Sequence, residues 1–144
     1  MTQENKEILL KDLCARLPYG VKVHEDIQGN FTLIGLTDDR AITNCEIENC
    51  YNKFPIDIIK PYLFPLSSMT KDQKKEISKR YNYYNFYGLC IKITNHSEGY
   101  WDNDNSCNLQ DYLWLIDWFN KNHFDYSGLI EKGLAIDCTN LNIY

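Results

Sequence analysis

The sequence lacks an apolar run that approaches the roughly 18 consecutive residues needed to span a membrane. Its opening residues, MTQENKE, also lack the apolar core of a secretory signal peptide. These two absences predict a cytoplasmic protein with no membrane partner. In that reducing compartment, the six cysteines are expected to be free thiols rather than a disulfide framework.

Motifs of common catalytic and phosphate-binding designs are missing as well. The chain has no nucleophile elbow, no P-loop, no GxGxxG loop and no HExxH zinc motif. Cys45 and Cys50 have the loose spacing C-x4-C, and no second tight Cys or His pair completes a structural zinc site. We therefore expect no bound metal and no cofactor. An enzyme is disfavoured but left open.

Positive charge is in the minority, with 15 Lys and Arg against 20 Asp and Glu and a net charge of −5. An acidic chain has no general attraction to phosphate backbones, so general nucleic-acid binding is not expected. The acidity would suit a basic partner, or an inhibitor that imitates nucleic acid. A moderate negative charge also serves simply to keep a protein soluble.

Aromatic residues, by contrast, are abundant: 11 Tyr, 6 Phe and 3 Trp make up 14% of the chain. Hydrophobic and charged fractions of 44% and 24% are ordinary for a globular protein. At this length we expect a single domain over residues 1–144 with its own core. Aromatic side chains serve both cores and interfaces, and composition does not separate the two uses.

The first segment, residues 2–17, has the apolar spacing of an amphipathic helix. Asp12 is expected to lie mostly outside the apolar face of this helix. That face consists of Leu9, Leu10, Leu13, Cys14 and Leu17.

The next segments predict a small antiparallel meander. Residues 21–25 and 31–36 are two short strands with a Gly-containing turn between them, and residues 40–47 supply a third strand. Residues 50–69 contain three prolines, which predicts an irregular crossing with one short helix at 56–60.

Thr70 and Gln73 fit a capping box, so a charged helix is predicted to start there and to end before Gly88. Residues 89–94 alternate as a half-buried strand, and residues 95–107 form a polar surface loop.

The last part of the chain predicts a helix over residues 108–122, capped by Asn108, and a shorter one over 127–133. An edge strand at 134–138 follows. Together the elements predict an α+β fold, in which a small, mainly antiparallel sheet is packed by three main helices. The sheet consists of the N-terminal meander and strand 89–94.

The helix over 108–122 carries two tryptophans, Trp114 and Trp118, one turn apart. They fall opposite the predicted core face, which consists of Leu109, Tyr112, Leu113, Ile116 and Phe119. One interpretation is that another element, such as the C-terminal segment, covers both indoles. The other is a surface for a protein partner or self-association, since Trp is enriched among interface hot spots.

Further aromatic candidates lie in residues 81–87 and in the polar loop. They either pack in the core and at its rim or extend a binding surface. These residues are Tyr81, Tyr83, Tyr84, Tyr87, Tyr100 and Trp101.

His123, Asp125 and Tyr126 are the candidates for a small-ligand pocket. The structural interpretation is that His123 ends a helix, where the macrodipole favours it. Asp125 is then a capping carboxylate.

Three stretches resemble small proteins, with no assigned activity, of gut Bacteroides-type bacteria and their prophages or other mobile elements. They are LPYGVKV at 17–23, KPYLFPLSSMT at 60–70 and DWFNKNHFDYSGLIEKGLA at 117–135, in matching order. The resemblance implies an origin and assigns no catalytic residue.

The sequence thus favours a non-catalytic protein-binding or accessory protein of a bacterium or its phage, with Trp114, Trp118 and residues 81–87 in contact with the partner. The alternative hypothesis is a binding protein for a small ligand, such as a nucleotide, or a small enzyme used in phage–host conflict.

Overall fold

The computed structural model describes residues 1–45, 50–80 and 109–144, which form three α-helices and seven strands. The helices are α1 (Gln3–Arg16), α2 (Lys71–Arg80) and α3 (Leu109–Lys121). The strands are β1 (Lys22–Glu25), β2 (Gly29–Leu36), β3 (Arg40–Asn44), β4 (Tyr51–Pro55), β5 (Ile59–Pro65), β6 (Phe124–Asp125) and β7 (Ile136–Asp137). The fold is α+β, as the sequence predicts. Among the described residues, no helix is long and apolar enough to cross a membrane.

Helix α1 begins and ends where its sequence signals place it. The hydroxyl of Thr2 caps the first turn by accepting a hydrogen bond from the amide of Asn5 (3.2 Å). A 3₁₀ turn, Leu17–Tyr19, follows the helix and closes at Gly20, whose φ of 64° is left-handed. The predicted helix is therefore confirmed.

Helix α2 has the reciprocal capping box that its sequence predicts. The amide of Thr70 donates to Oε1 of Gln73 (2.8 Å), and the amide of Gln73 donates to Oγ1 of Thr70 (3.2 Å). Ile77 anchors the helix in the core. The predicted continuation towards Gly88, the strand at 89–94 and the loop at 95–107 lie outside the described residues.

The strands form one mainly antiparallel sheet in the order β4-β3-β2-β1-β5. Strands β1 to β4 follow one another as a meander, which confirms the predicted three strands and adds a fourth. Strand β5 returns beside β1, and the two short strands β6 and β7 pair with β5 in parallel. Strand β7 falls within the predicted edge strand.

The predicted irregular crossing at 50–69 is wrong, because this segment forms β4 and β5. The predicted helix at 56–60 is only a 3₁₀ turn, Ile56–Ile58. Proline penalises a strand where the ladder needs its amide. Pro55 is the last residue of β4, so its effect on the ladder is small.

Pro61 lies inside β5, but its missing amide hydrogen removes no hydrogen bond between β5 and β1. The carbonyl of Leu63 accepts from the amide of Cys138 (3.0 Å), so Leu63 directs its backbone towards β7. Backbone groups alternate sides along a strand. Pro61, two residues earlier, therefore faces the same side, away from β1.

The predicted helix at 127–133 is also wrong, since this segment consists of turns. Gly128 and Gly133 have left-handed φ values of 70° and 68°. A left-handed residue directly after Ser127 prevents the first turn of a right-handed helix from forming.

A β-bulge in β2 decides which side chains face outward. Leu33 pairs with Thr43 and Gly35 pairs with Ile42, so Ile34 is the extra residue. Because of this extra residue, Leu33 and Leu36 both pack on the core side. Ile34 is left 53% exposed on the opposite face.

The buried side chains form two clusters. The first lies between α1 and the sheet and includes Leu9, Leu13, Val23 and Leu63. The second joins α2, α3 and β6 and consists of Leu66, Met69, Ile77, Leu115, Trp118, Phe119 and Phe124.

We expect Thr70→Ala to lower the free energy of unfolding by about 1 kcal/mol, because the amide of Gln73 loses its acceptor. Thr70→Ser keeps a hydroxyl there and should remain close to wild type. Urea titration measures both variants. Equal losses in the two variants would contradict the role of the capping box.

Candidate functional site

The buried face of helix α3 overlaps only in part with the predicted one: Phe119 is in the core and Ile116 packs against it, as predicted. Leu115, Trp118 and Phe119 are buried. Tyr112 and Leu113, predicted in the core, are 48% and 57% exposed. The helix has apolar side chains on two sides. The side that contains Trp118 is buried because the segment after the helix packs against it.

Trp118 is covered by that following segment. Its ring lies nearly parallel to the ring of Phe124, with centroids 5.7 Å apart and an interplanar angle of 7°. Only 5% of Trp118 is exposed, so the prediction that it lies on a binding surface is wrong and the burial interpretation is confirmed. Trp114 is half-buried against the same cluster.

The other aromatic candidates, Tyr81, Tyr83, Tyr84, Tyr87, Tyr100 and Trp101, lie outside the described residues. Their role stays a prediction.

Asp125 has the capping role that the structural interpretation gives it. Its two carboxylate oxygens accept hydrogen bonds from the amides of Leu129 (2.9 Å) and Ile130 (2.8 Å). The cap holds the turn after β6 rather than a helix. Because Asp125 is buried and both oxygens are engaged, its carboxylate stabilises the fold.

Arg16 forms a buried ion pair that the sequence analysis missed. Its Nε and Nη2 donate to the carboxylate of Asp12 at 2.6 and 3.0 Å. Nη2 also donates to the carbonyl of Phe124 (2.8 Å), which ties α1 to β6. The Tyr126 ring lies against the guanidinium, 5.3 Å from centroid to Cζ.

This ion pair shows that the predicted apolar face of α1 is wrong at two positions. Asp12 is buried and Cys14 is exposed, the reverse of the prediction. Positions 9, 12, 13 and 16 have the spacing of one helix face. That spacing, with an Asp and an Arg four residues apart among leucines, was the available signal for a buried pair.

Tyr126 and Asn120 extend this polar network to the end of α3. The hydroxyl of Tyr126 donates to Oδ1 of Asn120 (2.9 Å), and Asn120 is itself buried. Desolvation by burial is the main cause that raises the pKa of Tyr126, which keeps the phenol protonated. Tyr126 is thus a packed, neutral member of the network.

His123 ends α3 in a left-handed conformation, with a φ of 58°. Its ring stacks on Tyr144, with centroids 4.0 Å apart and an interplanar angle of 11°. Nδ1 is buried without a hydrogen-bond partner among the described residues. Burial, helped by the charge of Arg16, lowers the pKa of His123 to about 4. The imidazole is therefore neutral near pH 7.

The hydroxyl of Tyr144 joins two strands beside His123. It donates to the carbonyl of Tyr62 in β5 (2.9 Å) and accepts from the amide of Lys22 in β1 (3.0 Å). The predicted pocket residues His123, Asp125 and Tyr126 are thus brought together, but as partners in packing and hydrogen bonding. Their contacts give the small-ligand hypothesis no support.

The outward face of the sheet has a different chemistry. Lys22, Arg40, Lys53 and Lys60 each alternate with buried neighbours in their strands and so point away from the core. The only carboxylate residue in β1 to β5 is Glu25, which is buried and accepts hydrogen bonds from the amides after it. The strands therefore give an acidic protein one cationic face.

The middle of this face is apolar. Ile34 and Tyr51 are 53% and 56% exposed, and half-buried Ile42 lies opposite Gly35 and Lys53. The ammonium group of Lys53 lies 5.2 Å from the centroid of the Tyr51 ring. We name this surface the outer patch; it consists of Ile34, Arg40, Ile42, Tyr51 and Lys53.

Sequence reasoning missed the outer patch because two of its residues lie on β4, which was not predicted. The local sequence also does not reveal the bulge in β2, which lets Leu33 and Leu36 both face the core with Ile34 exposed between them. The charge of Arg40 is partly offset by Asp39, since Nε and Oδ2 are 3.6 Å apart.

Comparison of the chain with protein-family models, with curated proteins and with solved structures gives no match. Within the part of the chain that the structure describes, no group of three or more His, Cys, Asp or Glu side chains could hold a metal ion.

We expect Arg16→Met to lower the free energy of unfolding by about 3–5 kcal/mol, because it leaves the buried Asp12 carboxylate unpaired. Arg16→Met combined with Asp12→Leu removes both charges and should recover part of that loss. Chemical denaturation measures both variants. A loss below about 1 kcal/mol for the single variant would contradict the importance of the pair.

The free energy of unfolding should fall as the pH falls from about 6.5 to about 4. Above this window His123 is neutral in both states; within it, the unfolded chain takes up a proton that the folded chain does not. A pKa difference of this size corresponds to about 3 kcal/mol. His123→Asn tolerates the left-handed backbone and should flatten the fall by that amount. An unchanged pH profile in this variant would contradict the assignment.

Proposed function

We propose that this is a non-catalytic binding protein of a bacterium or its phage, that its partner is another protein, and that the outer patch is the contact surface. The observation that carries the proposal is the composition of the outward sheet face. It combines an exposed apolar centre with cations in a chain of net charge −5.

The apolar centre matches the anatomy of a protein–protein contact. The core of such interfaces is apolar and enriched in aromatic residues and Arg, and its rim is polar. Ile34 and Ile42 supply the apolar side chains, and Tyr51 supplies an exposed ring at their edge. An antiparallel sheet with one face on its core leaves the other face available for this use.

The lysines of the outward face indicate the charge of the surface that the partner presents. Lys22, Lys53 and Lys60 lie on the outward face, and within the described strands β1 to β5 no carboxylate faces them. A partner with an apolar centre and a rim of Asp and Glu would complement this face. Two copies of the chain, joined through the same face, would place cations against cations. A different protein is therefore a better partner for this face than a second copy of the chain.

The proposed contact surface does not include Trp114 or Trp118. Trp118 has almost no exposed area to offer, whereas Ile34 and Tyr51 are both more than half exposed. The aromatic residues of 81–87 and the pair Tyr100 and Trp101 remain candidates for a second contact region.

We expect Lys53→Glu to weaken binding of the partner about tenfold, or ~1.4 kcal/mol, because it places a carboxylate against a carboxylate rim. Ile34→Asp should weaken binding at least as much, since it introduces a charge at the apolar centre. Lys74→Glu is the matched control: it makes the same charge change on an exposed position of α2. The fold of each variant is checked by thermal unfolding.

The measurement starts from capture with the full chain, from an extract of a Bacteroides-type bacterium, followed by identification of each captured protein. Each one is then purified, and its Kd is measured for wild type and the three variants. Support requires a purified protein whose binding is lost with Lys53→Glu and Ile34→Asp but kept with Lys74→Glu. Three outcomes overturn the proposal: equal binding by all variants, binding abolished by nuclease, or light scattering that shows the chain to be its own partner.

A further inference from the structure

The loop end of the β3–β4 hairpin carries two cysteines at matching positions. The last residues that pair between these strands are Asn44 and Tyr51. Cys45 is the next residue after Asn44, and Cys50 is the residue just before Tyr51. The two cysteines therefore occupy the next opposite positions of the hairpin.

Continued by one residue, this register would bring the two thiols close to bonding range. Cα atoms of directly opposite residues in an antiparallel pair are about 4.5–5.5 Å apart, and those of a disulfide are usually about 4.4–6.8 Å apart. Side chains alternate along a strand, so the same continuation would place Cys45 and Cys50 on one face, opposite to that of Asn44 and Tyr51. Oxidation then requires only a small approach of two neighbouring side chains.

Both thiols are free and reach solvent. Cys50 is exposed and Cys45 is partly exposed. Cys138, by contrast, is buried, and burial raises the pKa of its thiol to about 11, which makes it a poor nucleophile near neutral pH. Cys14 is exposed on α1 and serves as a reference for a single accessible thiol.

We propose that Cys45 and Cys50 form a reversible redox pair, with a low-molecular-weight disulfide such as oxidised glutathione as the oxidant. The thiolate of one cysteine attacks the glutathione disulfide, forms a mixed disulfide and releases one reduced glutathione. The thiolate of the other cysteine then attacks the mixed disulfide and releases the second glutathione. The protein loses two protons and two electrons, and the oxidant is reduced by the same two electrons.

The bond would link β3 to β4 at the loop end of their hairpin. Strand β4 pairs with β3 at the end of the strand order, and it carries Tyr51 and Lys53. The redox pair stands independently of the binding partner, because it depends only on the hairpin register and the accessible thiols. In a reducing compartment, disulfides are typically transient and redox-sensing.

The test equilibrates the full chain with mixtures of reduced and oxidised glutathione, traps remaining thiols by alkylation and digests with trypsin. Cleavage after Arg40 and Lys53 releases peptide 41–53, which contains both cysteines and no other. We expect this peptide to become two hydrogens lighter, without glutathione. With an effective thiol concentration on the order of 1 mM, at ~0.1 mM free glutathione the internal disulfide should exceed the mixed one about tenfold.

Variants give the controls. Cys45→Ser and Cys50→Ser should each leave one glutathione on peptide 41–53, and Cys14→Ser should leave the internal disulfide unchanged. Reduction with excess glutathione should restore two alkylatable thiols. A wild-type peptide that carries two glutathiones, or that is cross-linked to another cysteine peptide such as that of Cys90 or Cys107, overturns the proposal. So does a peptide that stays fully reduced while Cys14 is glutathionylated.

Discussion

The hydrogen bond from the guanidinium of Arg16 to the carbonyl of Phe124 joins α1 to β6, 108 residues apart along the chain. Its donor is fixed by Asp12 within α1, and its acceptor is the first residue of β6. With β6 held against α1 in this way, Phe124 packs on Trp118 and orients α3. Asp125, the next residue, caps the turns that lead to β7. Burial of the two charges costs free energy that only good geometry offsets, so we expect this ion pair to specify the arrangement more than to stabilise it.

Elements with local signals could be predicted from the sequence, whereas elements that depend on distant partners could not. Thr2 and the Thr70–Gln73 box mark helix starts because the capping hydrogen bonds lie within one turn. The prolines of β4 and β5 were a misleading signal: whether Pro61 disrupts a ladder depends on which side β1 lies, and the local sequence does not contain that information. The face of α3 was ambiguous for the same reason, since both of its arcs are apolar and Phe124 selects one.

The candidate site shows the same division. The capping role of Asp125 follows from its own neighbours and was predicted correctly. The outer patch needs the bulge at Ile34, the register of β3 with β4 and the alternation of lysines with buried residues, and none of these is a short-range property. Residues singled out in the sequence, such as His123, have packing contacts in the structure, whereas the residues that form the outer patch have no motif.

The distance along the chain between Arg16 and Phe124 has a consequence for biosynthesis. A ribosome that adds about 5–20 residues per second makes the second partner of this bond about 5–20 s after the first. During that interval Asp12 and Arg16 stay hydrated, and the N-terminal helix presents an ion pair within the face that later joins the core. Two hydrated charges on that face are expected to weaken its contacts with other apolar segments. The same two side chains are thus hydrated before Phe124 is made and buried once it is in place.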